Sequence, residues 1–334
     1  MRRFTDRIRQ RAGSIVEERF FRWAAAAGKL HPMSKPERHN VEVTRDVRYL
    51  DTGREEHRLD VYRPIGRPGP LPVVLYIHGG AFRILSKDTH WIMALAFARR
   101  GFVVFNISYR LAPRHPFPAA LEDAAAAYRW VLANAAAHGG DPARLVLAGE
   151  SAGANLSTAL AIAACYRRPE PFARRVFALG HVPRAVLPAC GLLQVSDAER
   201  FARRKGRKLP AFISDRILEA SQAYLRGHNG HGTAELADPL VVLERGERPE
   251  RPLPPFFAPV GTADPLLDDT RRLKTALDRI GVPCEARYYQ GELHAFHALV
   301  FRKQAQACWR HTFEFLAEHL GMELPARGPV PRAW

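Results

Sequence analysis

A single α/β domain built around a parallel sheet is the fold class this sequence predicts, on three observations. Apolar β-type runs alternate with helical stretches along the chain. Its 334 residues, 47% of them hydrophobic, suffice for one large core. A strand-like run, Arg144 to Ala148, leads through Gly149-Glu150-Ser151-Ala152-Gly153 into a helix-like run, Ala154 to Tyr166. No internal repeat interrupts this order.

Residues 1–40 read as helices with mixed faces, in which Phe4, Ile8, Ile15, Val16, Phe20, Phe21 and Trp23 alternate with arginines. Such a segment must cover something, because alone it could not bury those aromatics. Val41–Leu50 and Arg58–Arg63 alternate as strands do, and Pro64 to Pro72 is turn-rich. Val73–Ile77 is a continuous apolar strand running into His78-Gly79-Gly80, and Trp91 to Arg100 is helical up to Gly101. Phe102–Ile107 is a buried strand, and Phe117 to His138 a long helix closed by Gly139-Gly140. Ala185–Ala189 is a strand. The pattern then lapses over Ser196 to Gly232, which carries a basic cluster and a helical run from Ser214 to Arg226, and reads as an insertion. Phe256–Gly261 resumes the sheet. Asp268–Ile280 is a helix, Cys284–Tyr289 a strand, Arg302–Leu320 an amphipathic helix and Pro325–Trp334 a Pro-rich tail.

The formal charge of +16 raises nucleic acid or an anionic surface as partners. However, acidic residues are interleaved throughout, and the densest cluster (Arg200, Arg203, Arg204, Lys205, Arg207, Lys208) has no nucleic-acid-binding signature beside it. A solvated basic surface is expected, with no nucleic-acid partner. The cluster also suggests a negatively charged substrate or attraction to anionic lipid. Cys165, Cys190, Cys284 and Cys308 are scattered without a C-x-x-C, so they read as buried thiols rather than disulfides or a zinc site. No bilayer-spanning run and no secretory h-region are read, and the cytoplasm is the expected location.

A serine at a strand-to-helix turn is held in a strained bend flanked by small residues, with the helix N–H groups aimed at the same spot. It needs a base, a group to orient that base, and donors for an oxyanion. In an open parallel sheet these gather just past the strands' carboxyl ends. Asp264 lies directly after Phe256–Gly261, and His294 follows Cys284–Tyr289 on a short loop. Asp268 and Asp269 compete with Asp264 but fall where a helix starts, which suits capping. His297 is the rival of His294, three residues on. The oxyanion donors belong on a glycine loop, and His78-Gly79-Gly80-Ala81-Phe82 follows strand Val73–Ile77.

Together these motifs resemble the hormone-sensitive-lipase-type carboxylesterases of the α/β-hydrolase fold, from about Val73 to Leu320. The match includes the glycine loop, the long run Tyr109 to Asp123, Gly149 to Asn155, Asp264-Pro265-Leu266 and His294-Ala295-Phe296. The resemblance implies a mostly parallel central sheet with flanking helices and a helical cap. It divides the chain into N-terminal cap helices (1–40), a first core part (41–195), a cap insertion (196–232), a second core part (233–322) and a tail (323–334). It implies Ser151 as nucleophile, His294 as base and acid, Asp264 as its orienting group, and backbone N–H groups of Gly80, Ala81 and Ala152 as oxyanion donors, with Gly79 shaping the loop. Arg110 and Asp123 read as scaffold. The chain order Ser, Asp, His is the order of this fold. No cofactor or metal is called for, the partner is a small ester, and the family often forms homodimers. The cap aromatics Phe20, Phe21, Trp23, Phe201, Phe212 and Tyr224 suggest a short- to medium-chain acyl group.

The chain departs from the family at three glycine positions, where Ala81, Ala154 and Ala295 stand, and carries Glu150 where many members have Asp. Ala81 keeps its N–H, so the donor survives if the backbone angles suit it, with less room for bulky alcohol groups, and the changes at Ala154 and Ala295 are expected to be mild unless a position requires a positive φ. Two other readings use the same scaffold: a non-catalytic small-ligand-binding protein, and an amidase or acyltransferase with the same triad.

Overall fold

The computed structural model describes residues 19, 23, 25–203, 211–228 and 234–322. Several features read from the sequence lie outside the described residues: Phe4 to Val16, Phe20, Phe21, Arg204 to Lys208 and the Pro-rich tail.

Eight strands form one sheet: β1 (Val41–Arg48), β2 (Arg58–Pro64), β3 (Leu71–Ile77), β4 (Val103–Ile107), β5 (Gly140–Glu150), β6 (Ala185–Ala189), β7 (Phe256–Gly261) and β8 (Cys284–Tyr289). Their spatial order is β1-β2-β4-β3-β5-β6-β7-β8. β1–β2 and β2–β4 are antiparallel, and every later pair is parallel. Parallel strands need crossover helices, which cover both faces and explain the unbroken apolar runs of β3 to β7.

The two-residue period of a strand sorts those runs into two layers. Val73, Leu75 and Ile77 of β3, with Leu145 and Leu147 of β5, pack with helices Ala119–Asn134 and Ala152–Cys165. Val74, Tyr76, Val146 and Ala148 face the other way, toward helices Trp91–Ala98 and Lys303–Leu320. The helix Ala152–Cys165 is buried along its whole length.

Three details differ from the sequence reading. The expected helix Phe117 to His138 starts two residues later and ends in a 3-10 turn, Ala135–His138. Short helices Pro171–Ala178 and Pro239–Glu244 were not expected; six to eight residues carry too little periodicity to announce themselves. Asp269 does not cap its helix, Leu267–Arg279. Its buried carboxylate accepts the N–H groups of Leu193 (2.9 Å) and Gln194 (3.2 Å) and takes both oxygens to Arg200 at 2.7 Å. Arg200, read as part of a basic surface, is therefore an internal anchor for the loop after β6. Arg110 and Asp123 do meet, through a bidentate pair at 2.7–2.9 Å, and His57 Nε2 adds a third contact at 3.2 Å.

The glycines around Ser151 are fixed by close approach of main chains. A Cβ on Gly153 would stand 1.9 Å from the Ile77 carbonyl oxygen, and one on Gly149 2.6 Å from the same atom. Gly153→Ala should therefore destabilise the fold by about 3 kcal/mol, the upper end of ordinary overpacking, or prevent folding. Urea denaturation measures this, and a midpoint equal to that of the wild type would contradict the geometry.

Candidate active site

The carboxyl ends of β3, β5, β6, β7 and β8 deliver the predicted residues to one rim of the sheet. Ser151 is the first residue past β5 and the N-cap of helix Ala152–Cys165, at φ 56°, ψ −115°. A non-glycine residue there is strained by roughly 1–3 kcal/mol, and the surrounding contacts hold it. Its N–H donates to the Ala189 carbonyl at 3.0 Å, and its carbonyl accepts the N–H of Leu192 at 3.2 Å. Ala152 follows as the first helical residue, so its N–H has no acceptor within the helix.

Asp264 and His294 are brought together. His294 Nδ1 lies 2.9 Å and 3.1 Å from the two carboxylate oxygens of Asp264. An ionised carboxylate only accepts, so Nδ1–H donates, and Nε2 is the nitrogen that gains or loses the titrating proton. Asp264 is 1% exposed, while the His294 side chain remains 35% exposed. Burial alone would push this imidazole down, but the charge of Asp264 outweighs it and holds His294 well above an ordinary histidine. Asp264 also accepts the N–H of Leu266 at 2.8 Å, so it closes its turn as well as meeting the histidine. The contact depends on Gly261, where a Cβ would stand 2.0 Å from the Glu292 carbonyl on the histidine's loop. Among the described residues, Ser151 Oγ and His294 share no hydrogen bond. In unliganded hydrolases such bonds are commonly long and tighten around the substrate.

The rival His297 is elsewhere. It is buried on the 3-10 turn Phe296–Ala298, its carbonyl accepts Trp309 Nε1 at 3.0 Å, and burial pushes it down to about 4. Asp268 is on the exposed side of its helix, paired with Arg271 at 3.1 Å.

The glycine loop turns through consecutive left-handed residues: Gly80 at φ 108°, Ala81 at 55° and Phe82 at 60°. A Cβ on Gly80 would stand 2.1 Å from the Ile84 carbonyl, so glycine is required there. Phe82 anchors the loop by stacking on Tyr224, with ring centroids 3.7 Å apart. Tyr224 ends the helix Ala211–Tyr224, which thereby lies over the loop. Phe201 and Tyr224, expected among the pocket aromatics, are instead buried in the core, and Trp23 is 69% exposed.

Beneath the loop lies a polar cluster that sequence reading missed. The buried carboxylate of Glu150 accepts the Gly79 N–H at 2.5 Å, His90 Nε2 at 2.7 Å and the Tyr76 hydroxyl. His90 Nδ1 lies 2.9 Å from the Thr89 hydroxyl and 3.2 Å from the Ser86 carbonyl. Burial opposes charge on both partners, yet their mutual attraction wins. Glu150 is held down to about 2 and His90 is raised. Neighbouring His78 is driven the other way, to about 3, by burial and the charge of His90. The extra methylene of Glu150 relative to Asp was a visible signal, but its reach to Gly79 could not be read without the fold.

Ala295 lies in the left-handed region at φ 54°, whereas Ala154 is helical. The substitution at 295 is thus strained and that at 154 is not.

Comparisons with known proteins place the chain by fold and kind of enzyme. A family profile described as the alpha/beta hydrolase fold matches residues 74–298. The chain is 33% identical over 257 residues to "Carboxylesterase NlhH" of Mycobacterium tuberculosis, covering 75% of each. It is 30% identical to "Acetyl esterase" of Salmonella schwarzengrund, covering 71% of this chain and 68% of that one. The solved structure of an esterase from the bacterial hormone-sensitive lipase family superposes with a TM-score of 0.70, at 28% identity and 92% coverage of both chains.

Two predictions follow from the strained and charged positions. Ala295→Gly should raise stability by roughly 0.5–1 kcal/mol. Relief of an alanine in αL is worth about 1–2 kcal/mol, of which about 0.4–1 is lost to unfolded-state entropy. Thermal unfolding tests it. For Glu150, a native carboxyl held near 2 stabilises the fold fully above its unfolded value of 4.5 and loses that contribution as pH falls toward 2. Wild-type stability should therefore drop more steeply over that window than that of Glu150→Gln. At neutral pH the variant should be less stable by about 3–5 kcal/mol.

Proposed function

Because the chain belongs to the alpha/beta-hydrolase fold family, as a carboxylic ester hydrolase of the hormone-sensitive-lipase type, we propose that Ser151 is its nucleophile, His294 its base and Asp264 the group that orients His294. The observation that carries this reading is the Asp264–His294 pair, which orients the imidazole at the same strand-end rim that carries Ser151.

Nε2 removes the Ser151 proton as Oγ attacks the acyl carbon. The tetrahedral oxyanion is held by the N–H groups of Gly80, Ala81 and Ala152. Gly79 shapes the loop through its bond to Glu150. The imidazolium returns its proton to the leaving alcohol. Water, deprotonated by the same nitrogen, then releases the acid from the acyl-enzyme.

The proposed substrates are esters of short to medium acyl chains. A relative whose name is acetyl esterase supports this. The proposed cap comprises residues 1–40 and 196–232, on core segments 41–195 and 233–322. Contact of helix Ala211–Tyr224 with the glycine loop supports the second part. The reading includes a cytoplasmic location, supported by four free cysteines, and a homodimer, for which the outer edge of β8 is available.

Turnover of chromogenic esters from acetyl upward should vanish in Ser151→Ala and fall about 10⁴-fold in Asp264→Asn. Ester hydrolysis by Ser151→Ala at the wild-type rate would overturn the assignment. Because the base acts only when neutral, kcat/KM should rise with pH through an inflection above the ordinary histidine value of about 6.5. Loss of the Asp264 charge should shift that inflection downward in Asp264→Asn.

A further inference from the structure

Cys190 has no part in the proposed chemistry, yet its thiol lies against the Asp264–His294 pair. It is the first residue past β6, the strand between those that carry Ser151 and Asp264. Its N–H donates to the Pro259 carbonyl of β7 at 2.9 Å, which turns it toward the β7 side. Its backbone is left-handed at φ 39°, a conformation unfavourable for cysteine and held by that loop. The side chain is 1% exposed.

One donor atom from each of Cys190, Asp264 and His294 lies within 4.8 Å of the other two. The donors come from three separate loops of fixed geometry. They combine a soft sulfur, a borderline imidazole and a carboxylate, the donor types that take zinc or cadmium with a fourth position left for water. Ligand bonds of about 2.0–2.3 Å span such a triangle after a modest contraction.

We propose that Cys190, Asp264 and His294 form a binding site for a thiophilic divalent cation, zinc or cadmium, and that its occupation switches the esterase off. The charges balance: the dication meets one thiolate and one carboxylate, and the thiol proton leaves to solvent. Where the ion takes Nδ1, the ring proton moves to Nε2; where it takes Nε2, the lone pair is occupied. In both arrangements no nitrogen remains to accept a proton from Ser151. The loss of turnover rests on the assignment of His294 as base; the binding does not.

The test uses the full chain stripped with a chelator, titrated with Zn²⁺ for activity and with Cd²⁺ for ultraviolet absorption. Wild type should lose ester turnover progressively, recover it on adding chelator, and show a thiolate-to-cadmium band saturating at one ion per chain. Mg²⁺ should do neither. Cys190→Ala should keep ester turnover, lack the band, and need at least tenfold more Zn²⁺ for half-inhibition. Cys190→Ser, closer in size, serves if the alanine variant does not fold. Absence of the band in wild type, or equal zinc sensitivity in the Cys190 variants, overturns the site. A saturated band with undiminished turnover overturns the switch, whereas full turnover in a His294→Ala variant overturns the assignment of the base.

Discussion

The Ile77 carbonyl oxygen leaves no room for a side chain at Gly149 or Gly153, and much of the site hangs on that contact. It presses the end of β3 against the turn between β5 and its helix. The turn must then reverse within one residue, and Ser151 absorbs the reversal at φ 56°. The hydroxyl is displayed because the main chain has no other way round. The same contact places the glycine loop, which leaves β3 one residue later, beside the first turn of the helix. Backbone strain of a few kcal/mol is sustained because three strands and a fully buried helix oppose its release.

Charge inside this fold is used locally, against the background of a strongly basic chain. Glu150 and His90 are both buried, and each would be neutral alone. Together they form an ion pair under the loop, and Glu150 grips the Gly79 amide. Desolvation makes such a pair a poor source of stability, but its directional bonds fix where a backbone segment sits. Arg200 on Asp269 does the same for the loop after β6. Both pairs join segments far apart in sequence that the site needs side by side.

The loop after β6 has a double consequence. Its Leu192 N–H donates to the Ser151 carbonyl, and its first residue, Cys190, is turned toward the histidine. A position between nucleophile and base is sensitive to what occupies it. A thiol there, packed with Val260 and Leu267, gives the pair a third donor.

The sequence by itself determined the architecture and singled out the residues proposed to react. Strand periods, helix runs and glycine punctuation are local properties, so β7 and β8 fall at the residues expected. Ser151, Asp264 and His294 were legible because each follows a strand, and parallel strands end on one side of a sheet. Tertiary structure alone decided what those residues touch. Asp269 looked like a helix cap and became a loop anchor, Tyr224 came to stack on Phe82 of the glycine loop, and Ala295 proved to need a left-handed backbone. The Glu150–His90 pair spans sixty residues, and Cys190 meets its partners only once β6 lies beside β7. Such pairings depend on the order of strands across the sheet, which local periodicity does not encode.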